Sequence, residues 1–247
     1  MLDSGIAPLD QQLGGMIPGR LHLLTGGPGT GKSTACYHFL QAGLRSGEAV
    51  ALLTHDRLSD LQSHARCAGL EVRDALRDNK MALLRFRPDF ARHLSSSASP
   101  YRVMDDLWRT IVDVKPARLV IDPLAPFLNE STASGAVMTA LAQLLDGFGV
   151  TTLLTYSSDV SAGHDARLNP IVQRASLIAH LARQDDGLHM QIVQNRTGAT
   201  PVQHARYQLL PESGISTLIV EVVKRAPRTR AAPRTRKRAT LEIAKSS

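Results

Sequence analysis

The sequence predicts an α/β fold: a mostly parallel sheet covered by helices on both faces, with a short antiparallel C-terminal extension. Three observations carry this reading. Short apolar runs alternate with helix-length segments between residues 20 and 156, the order that builds a parallel sheet with helices on both sides. Runs such as ALLT and RLVID are apolar at consecutive positions, as strands buried on both faces must be. Beyond residue 186 the pattern changes to LHMQIVQN and STLIVEV, alternating segments separated by turns, which read as antiparallel strands.

Taken in order, RLHLLT (20–25) is the first strand, followed by a Gly-rich turn and a helix over 32–44. AVALLT (49–54) is the second strand, and LSDLQSHARCAGL after it is helical, ending near Gly69. MALLRF (81–86) is the third strand. A polar loop containing LSSSASP then leads into the helix YRVMDDLWRTIVDV. RLVID (118–122), the helix TALAQLLDGF and the strand VTTLLTY (150–156) complete the alternating part. No internal repeat is visible. The expected organisation is one domain over 1–223 and a tail over 224–247.

Composition places the chain among globular proteins with a sizeable core: 43% of its 247 residues are hydrophobic and 21% charged. No apolar run approaches the ~18 residues of a membrane span, and MLDSGIAPLD lacks the basic-then-apolar pattern of a secretory signal. Cys36 and Cys67 form no disulfide framework and have no metal-ligand spacing with histidines. The expected location is cytoplasmic. The net charge of +7 is unevenly placed. Nine basic residues and one acid lie in 224–247, so that segment carries +8 and the body −1. Pro-interrupted and poor in apolar residues, the tail is expected to be disordered. It suits nonspecific nucleic-acid binding, an acidic partner or anionic lipid, or a solubilising role.

The most specific chemistry is in GGPGTGKST. Gly26, Gly27, Pro28, Gly29, Thr30, Gly31, Lys32, Ser33 and Thr34 contain the Walker A pattern between a strand and a helix. Glycines let backbone N–H groups turn inward around phosphates, the lysine reaches the β- and γ-phosphates, and the Ser33 hydroxyl binds Mg²⁺. Such a loop needs a carboxylate at the end of a nearby strand for the metal shell, and Asp122 of RLVID supplies it. Pro123 follows, so the glutamate that some ATPases place directly after this aspartate is absent. ATP and Mg²⁺ are the expected cofactors.

The stretch GIAPLDQQLGGMIPGRLHLLTGGPGTGKST resembles the opening of the KaiC-like branch of the RecA superfamily. The likeness is carried by Gly5, Leu9, Asp10, Leu13, Gly14, Gly15, Pro18 and Gly19, and continues through HARCAGL, RLVID, GVTTLLTY and MQIVQNRTG. It covers about residues 4–220. It implies a RecA-like core in which the two Walker strands are separated by one further strand. It also implies nucleotide-dependent self-association into a hexameric ring, with nucleotide held between neighbours.

The resemblance also assigns roles. In that branch, adjacent glutamates after the second strand polarise the attacking water, and His55 and Asp56 stand there. Asp56 keeps a carboxylate about 1.5 Å short of glutamate's reach, in a setting where ~1 Å of misplacement costs roughly 10²-fold. His55 offers an imidazole instead. Alternatively, the pair only caps the strand. Thr155 matches a polar residue facing the γ-phosphate, or is simply a β-branched strand residue. Arg196 matches an arginine that reaches the neighbouring subunit's nucleotide, or is an exposed strand residue. The lysine two positions before that arginine is Gln194 here. Where some relatives carry an autophosphorylated Ser-Thr pair, this chain has Ile171-Val172, leaving Ser131 and Thr132 elsewhere as hydroxyls.

Three functions stay open on this evidence. One is a slow ATPase whose nucleotide state controls assembly and an unidentified protein partner. Another is a nucleotide-sensing scaffold without turnover. The third is an accessory ATPase of DNA recombination or repair, which the loop SSDVSAGHDARLNP serves poorly, with one arginine and no aromatic.

Overall fold

The computed structural model describes residues 1–86, 90, 104–128, 134–158, 165–196 and 203–222. The described strands are β1 (Leu21–Gly26), β2 (Val50–Thr54), β3 (Met81–Arg85), β4 (Arg118–Asp122), β5 (Thr151–Ser157), β6 (Leu177–Gln184), β7 (Gly187–Asn195), β8 (Gln203–Leu210) and β9 (Gly214–Val222). They form one nine-stranded sheet ordered β3-β2-β4-β5-β1-β6-β7-β8-β9. From β3 to β6 every pairing is parallel, and from β6 to β9 every pairing is antiparallel. β1 and β4, the strands that end at the glycine loop and at Asp122, are separated by β5 alone, as the resemblance implied.

Side-chain alternation sorts the sheet into two cores. Leu24, Leu52, Val120 and Leu153 face one core, together with Leu9 of α1 (Ala7–Leu13) and Phe39 and Leu40 of α2 (Lys32–Arg45). Leu23, Leu53, Ile121 and Leu154 face the other, with Leu107 and Ile111 of α5 (Asp105–Val114) and Leu141 of α6 (Ser134–Gly147). Between them come α3 (Leu58–Ala65) and α4 (Val72–Arg77), and a short α7 (Asn169–Val172) precedes β6. By the period of two, Thr54, Asp122 and Thr155 fall on the α2 face. That places the polar strand ends beside the helix that opens the glycine loop.

The antiparallel part holds two strands beyond the segments read from the sequence, β6 and β8. The helix α1 is also additional; at seven residues it is too short to show a period, although Pro8 in its first turn and left-handed Gly14 at its end are ordinary boundary signals. No helix among the described residues is long and apolar enough to cross a membrane. The tail 224–247 and the hydroxyls of Ser131 and Thr132 lie outside the described residues.

Two buried ionisable groups near the N-terminus give the fold a testable pH response. His22 is fully buried, its Nε2–H donating to the Ile17 carbonyl at 2.9 Å, and burial pushes its pKa down to about 4. The native state therefore binds this proton less readily than the unfolded chain. The associated stability, ~3 kcal/mol at full effect, is present above about pH 6.5 and lost as pH falls towards 4. Asp10, which accepts bonds from the Ser4 N–H (3.0 Å) and hydroxyl (2.7 Å), is pushed up to about 6 by burial and works in the opposite sense. Wild-type stability should thus fall less steeply from pH 6.5 to 4 than that of Asp10→Asn, in which His22, together with His38 and His180 whose pKa values burial also lowers, is unopposed; urea titrations measure the difference. A flat Asp10→Asn profile would refute the His22 assignment.

Candidate functional site

The glycine loop is shaped by its neighbours as well as by any ligand. Gly26 has φ +150°, and a Cβ there would lie 2.2 Å from the Leu181 carbonyl oxygen of β6. Gly31 caps α2 at φ +86°, and its missing Cβ makes room for the Leu209 side chain of β8, which would lie 2.7 Å away. Gly29, at φ +70°, faces open space. The Tyr207 hydroxyl donates to the Thr30 carbonyl at 2.5 Å, and the Thr30 hydroxyl donates to the Gly27 carbonyl at 2.9 Å. Strands β6 and β8 therefore brace the loop from behind, and burial pushes the Tyr207 phenol well up, keeping it a donor.

Lys32 stands at the first position of α2. Its ammonium donates to the Gly26 and Gly27 carbonyls, both at 2.8 Å. Burial lowers its pKa, and the Asp122 carboxylate opposes that shift. Gly29, Gly31, Lys32, Ser33, Thr34 and Leu209 line a cleft of about 240 Å³ over the helix N-terminus, where free N–H groups and the helix dipole favour an anion. The Asp122 carboxylate that acts on Lys32 accepts, through Oδ1, from the buried Thr155 hydroxyl. The set fits a metal-bound polyphosphate: a serine hydroxyl, a carboxylate oriented by a threonine, a lysine and backbone donors. A larger cavity, about 440 Å³, lies between β3 and α5. Its lining combines apolar residues such as Leu83, Phe86 and Phe127 with Arg85, Arg109 and Asp113 and has no glycine loop, so volume alone does not locate the chemistry.

His55 and Asp56 part company in space. The His55 ring is exposed and packs 4.7 Å from the Phe86 ring on the α5 side of the sheet. Asp56 is half-buried on the α2 side, within 3.4 Å of the Tyr37 hydroxyl. Burial foremost, and Asp56 next, push the Tyr37 phenol well up, so it stays a proton donor. Asp56 is the member of the pair that shares a face with Asp122 and Thr155.

Arg196 is exposed. Its guanidinium donates to the Gln173 carbonyl, and its backbone N–H donates to Ser176 at 2.9 Å. Gln194 donates to the Ala175 carbonyl at 2.6 Å. Among the described residues no hydrogen bond or ion pair joins Arg196 to Lys32, Ser33 or Asp122 of its own chain. Ile171 and Val172 occupy α7. The single arginine of the loop after β5, Arg167, is held by Asp165 at 2.8 Å, and Asp165 also accepts from the Tyr156 hydroxyl at 2.8 Å. These bonds hold the Asp165 carboxyl well below the usual range.

Sequence reasoning missed His180, whose Nδ1 lies 2.9 Å from the Thr25 hydroxyl oxygen, and also Tyr207 and Leu209. Burial and the Lys32 charge lower the His180 pKa. The only sequence signal was the apolar run LIAHLA, too short to distinguish strand from helix.

With this geometry in hand, a family model described as "ATPase: KaiC" matches residues 2–219. The chain belongs to the KaiC ATPase family. Its relatives include a protein named UPF0273 from Pyrobaculum aerophilum, 31% identical over 189 residues, 70% of this chain and 64% of that one. Another UPF0273 protein, from Methanopyrus kandleri, is 28% identical over 166 residues, 62% of this chain and 65% of the relative. The chain thus spans about two thirds of these relatives. The crystal structure of a KaiC-like protein from Pyrococcus horikoshii superposes with a TM-score of 0.73 at 25% identity, covering 88% of this chain and 98% of that one. The KaiC-like, RecA-superfamily core is therefore the fold of this protein, and nucleotide binding goes with the family.

Proposed function

We propose that this KaiC-family chain binds Mg-ATP at the glycine loop and hydrolyses it slowly, its nucleotide state controlling assembly with further copies, as hexamers, and with a protein partner. The observation that carries the reading is the adjacency of Lys32 and Ser33, which line the cleft at the α2 N-terminus, to Asp122, whose charge acts on Lys32 and whose carboxylate accepts from Thr155. Gly26, Gly27, Pro28, Gly29, Thr30, Gly31 and Thr34 shape the phosphate cradle. Ser33 and Asp122 would hold Mg²⁺, which when bound neutralises phosphate charge. Lys32 exchanges two neutral carbonyls for phosphate oxygens, a charge-assisted and stronger pairing. Asp56 orients the attacking water and accepts its proton. Arg196, whose guanidinium donates to the Gln173 carbonyl, can exchange that bond for a neighbour's nucleotide.

A nucleotide-sensing scaffold is the second reading, favoured by Gln194 in place of a lysine and by His55, which packs on Phe86. A DNA-handling role finds less support, because Arg167 is already paired with Asp165. The domain is assigned to residues 1–223, with 224–247 as a polyanion-binding or solubilising tail of a cytoplasmic protein. Lys32→Ala tests the core of the reading: calorimetric Mg-ATP affinity should fall at least ~100-fold, the loss of about two charge-assisted bonds. Unchanged affinity would remove the glycine loop from the account.

A further inference from the structure

A cation at the glycine loop that no motif assigns is Arg183. It lies on β6, three residues past His180, on the strand that pairs in register with β1 and presses Leu181 against Gly26. Its guanidinium donates to the Gly29 carbonyl of the glycine loop at 3.4 Å. The side chain is exposed, and among the described residues it meets no carboxylate. By contrast Arg20, Arg77, Arg118, Arg167 and Arg206 each pair with an acid. Asp186, three residues on, is engaged by His189 at 2.7 Å and Arg206 at 3.3 Å.

Two cations thus rest on neutral carbonyls of one loop: Lys32 on Gly26 and Gly27, Arg183 on Gly29. A guanidinium at a long bond to a neutral oxygen gives that bond up readily to an anion, because charge-assisted pairs are about twice as strong and arginine's fork matches phosphate. The position selects which phosphate. Inner phosphates lie over the helix N-terminus, at Lys32, Ser33 and Thr34, whereas the Walker lysine reaches outward to the β- and γ-groups. Gly29 lines the cleft with Gly31, Lys32 and Ser33, and Arg183 approaches it from the exposed side, where the phosphate farthest from the helix N-terminus would lie.

We infer that Arg183 is a further nucleotide-binding residue, contacting the terminal phosphate in the same subunit and so helping to distinguish a nucleoside triphosphate from a diphosphate. The inference rests on the nucleotide-binding reading above and goes beyond it in naming a specificity-determining group outside the Walker motifs.

The test is calorimetric titration of Mg-ATP and Mg-ADP into the full chain and into Arg183→Gln and Arg183→Lys, with thermal melts to verify folding. Arg183→Gln should weaken ATP about tenfold, the size of one charge-assisted bond, and ADP less than about twofold, with Arg183→Lys recovering part of the loss. An unchanged ATP affinity overturns the inference, and so does an equal loss for both nucleotides. A gain in ATP affinity overturns it as well, because Arg183 would then be only a latch on the empty loop. Wild-type protein that binds neither nucleotide takes down the nucleotide reading itself, and this inference with it. If Arg183→Gln does not fold, Arg183→Lys decides: a loss confined to ATP supports the contact, and wild-type selectivity at raised salt counts against a fork-matched phosphate.

Discussion

Asp56→Ala is expected to slow single-turnover ATP hydrolysis by about 10²–10⁴-fold, the usual size of a general-base contribution, while leaving Mg-ATP affinity within about twofold. The asymmetry follows from position. Asp56 stands two residues past Thr54, which is in register with Asp122 on the neighbouring strand, so its carboxylate shares the α2 face with the metal-shell residues. It touches Tyr37 of α2 and makes no bond to the glycine loop. Its loss therefore removes a group that serves the water and leaves the phosphate cradle intact. His55 is turned towards Phe86, so His55→Ala should change the rate far less. His55→Glu puts its carboxylate on that same α5 side and should likewise leave the rate close to wild type. Single-turnover measurements separate chemistry from product release. If Asp56→Ala leaves the rate unchanged, the pair is a strand cap and the sensing reading leads.

Arg118→Ala is expected to cost about 3–5 kcal/mol of stability, the range for breaking a buried charged pair by removing one partner. That lowers the melting temperature by roughly 10 °C in a chain of this size. Arg118 is 1% exposed at the start of β4. Its Nε donates to Glu48 at 2.6 Å and one terminal nitrogen to the Asp3 and Phe39 carbonyls at 2.7 and 3.1 Å, while its guanidinium lies 5.0 Å from the centre of the Phe39 ring. Gly43 is what admits it, since a Cβ there would come within 2.8 Å of Arg118. The arginine therefore ties the N-terminal segment and α2 to the strand that ends in Asp122. Urea denaturation of the variant should show the lower midpoint, together with weaker Mg-ATP binding as α2 and β4 lose their common anchor. A wild-type midpoint would show that Glu48 and the two carbonyls are satisfied without it.

What the sequence disclosed, and what it withheld, divides by range of contact. The glycine loop was legible because its requirements are local: a strand, left-handed glycines and a helix start within nine residues of one another. Asp122 and Thr155 were legible as strand ends, and their pairing through a hydrogen bond followed once the parallel order was known. The bracing of the loop was not, because Thr25 meets His180 across 155 residues and Thr30 meets Tyr207 across 177. No local pattern marks such partners. Arg118 reads in the sequence as an ordinary charged residue opening a strand; its burial depends on a glycine and a carbonyl of α2 and on a carbonyl of the N-terminal segment. The different faces taken by His55 and Asp56 follow from strand alternation continuing one step past β2, which the sequence contained but which needed Phe86 in place to give it meaning.

The central claim is that the cleft over the α2 N-terminus is a Mg-ATP site. The most direct test is a crystal structure of the full chain grown with Mg²⁺ and a non-hydrolysable ATP analogue. The account predicts triphosphate density within the glycine loop and a metal bounded by Ser33 and Asp122. It also predicts that the Lys32 ammonium has moved off the Gly26 and Gly27 carbonyls onto phosphate oxygens. Crystals grown at saturating analogue in which the loop is empty and Lys32 still bonds both carbonyls at 2.8 Å would contradict it.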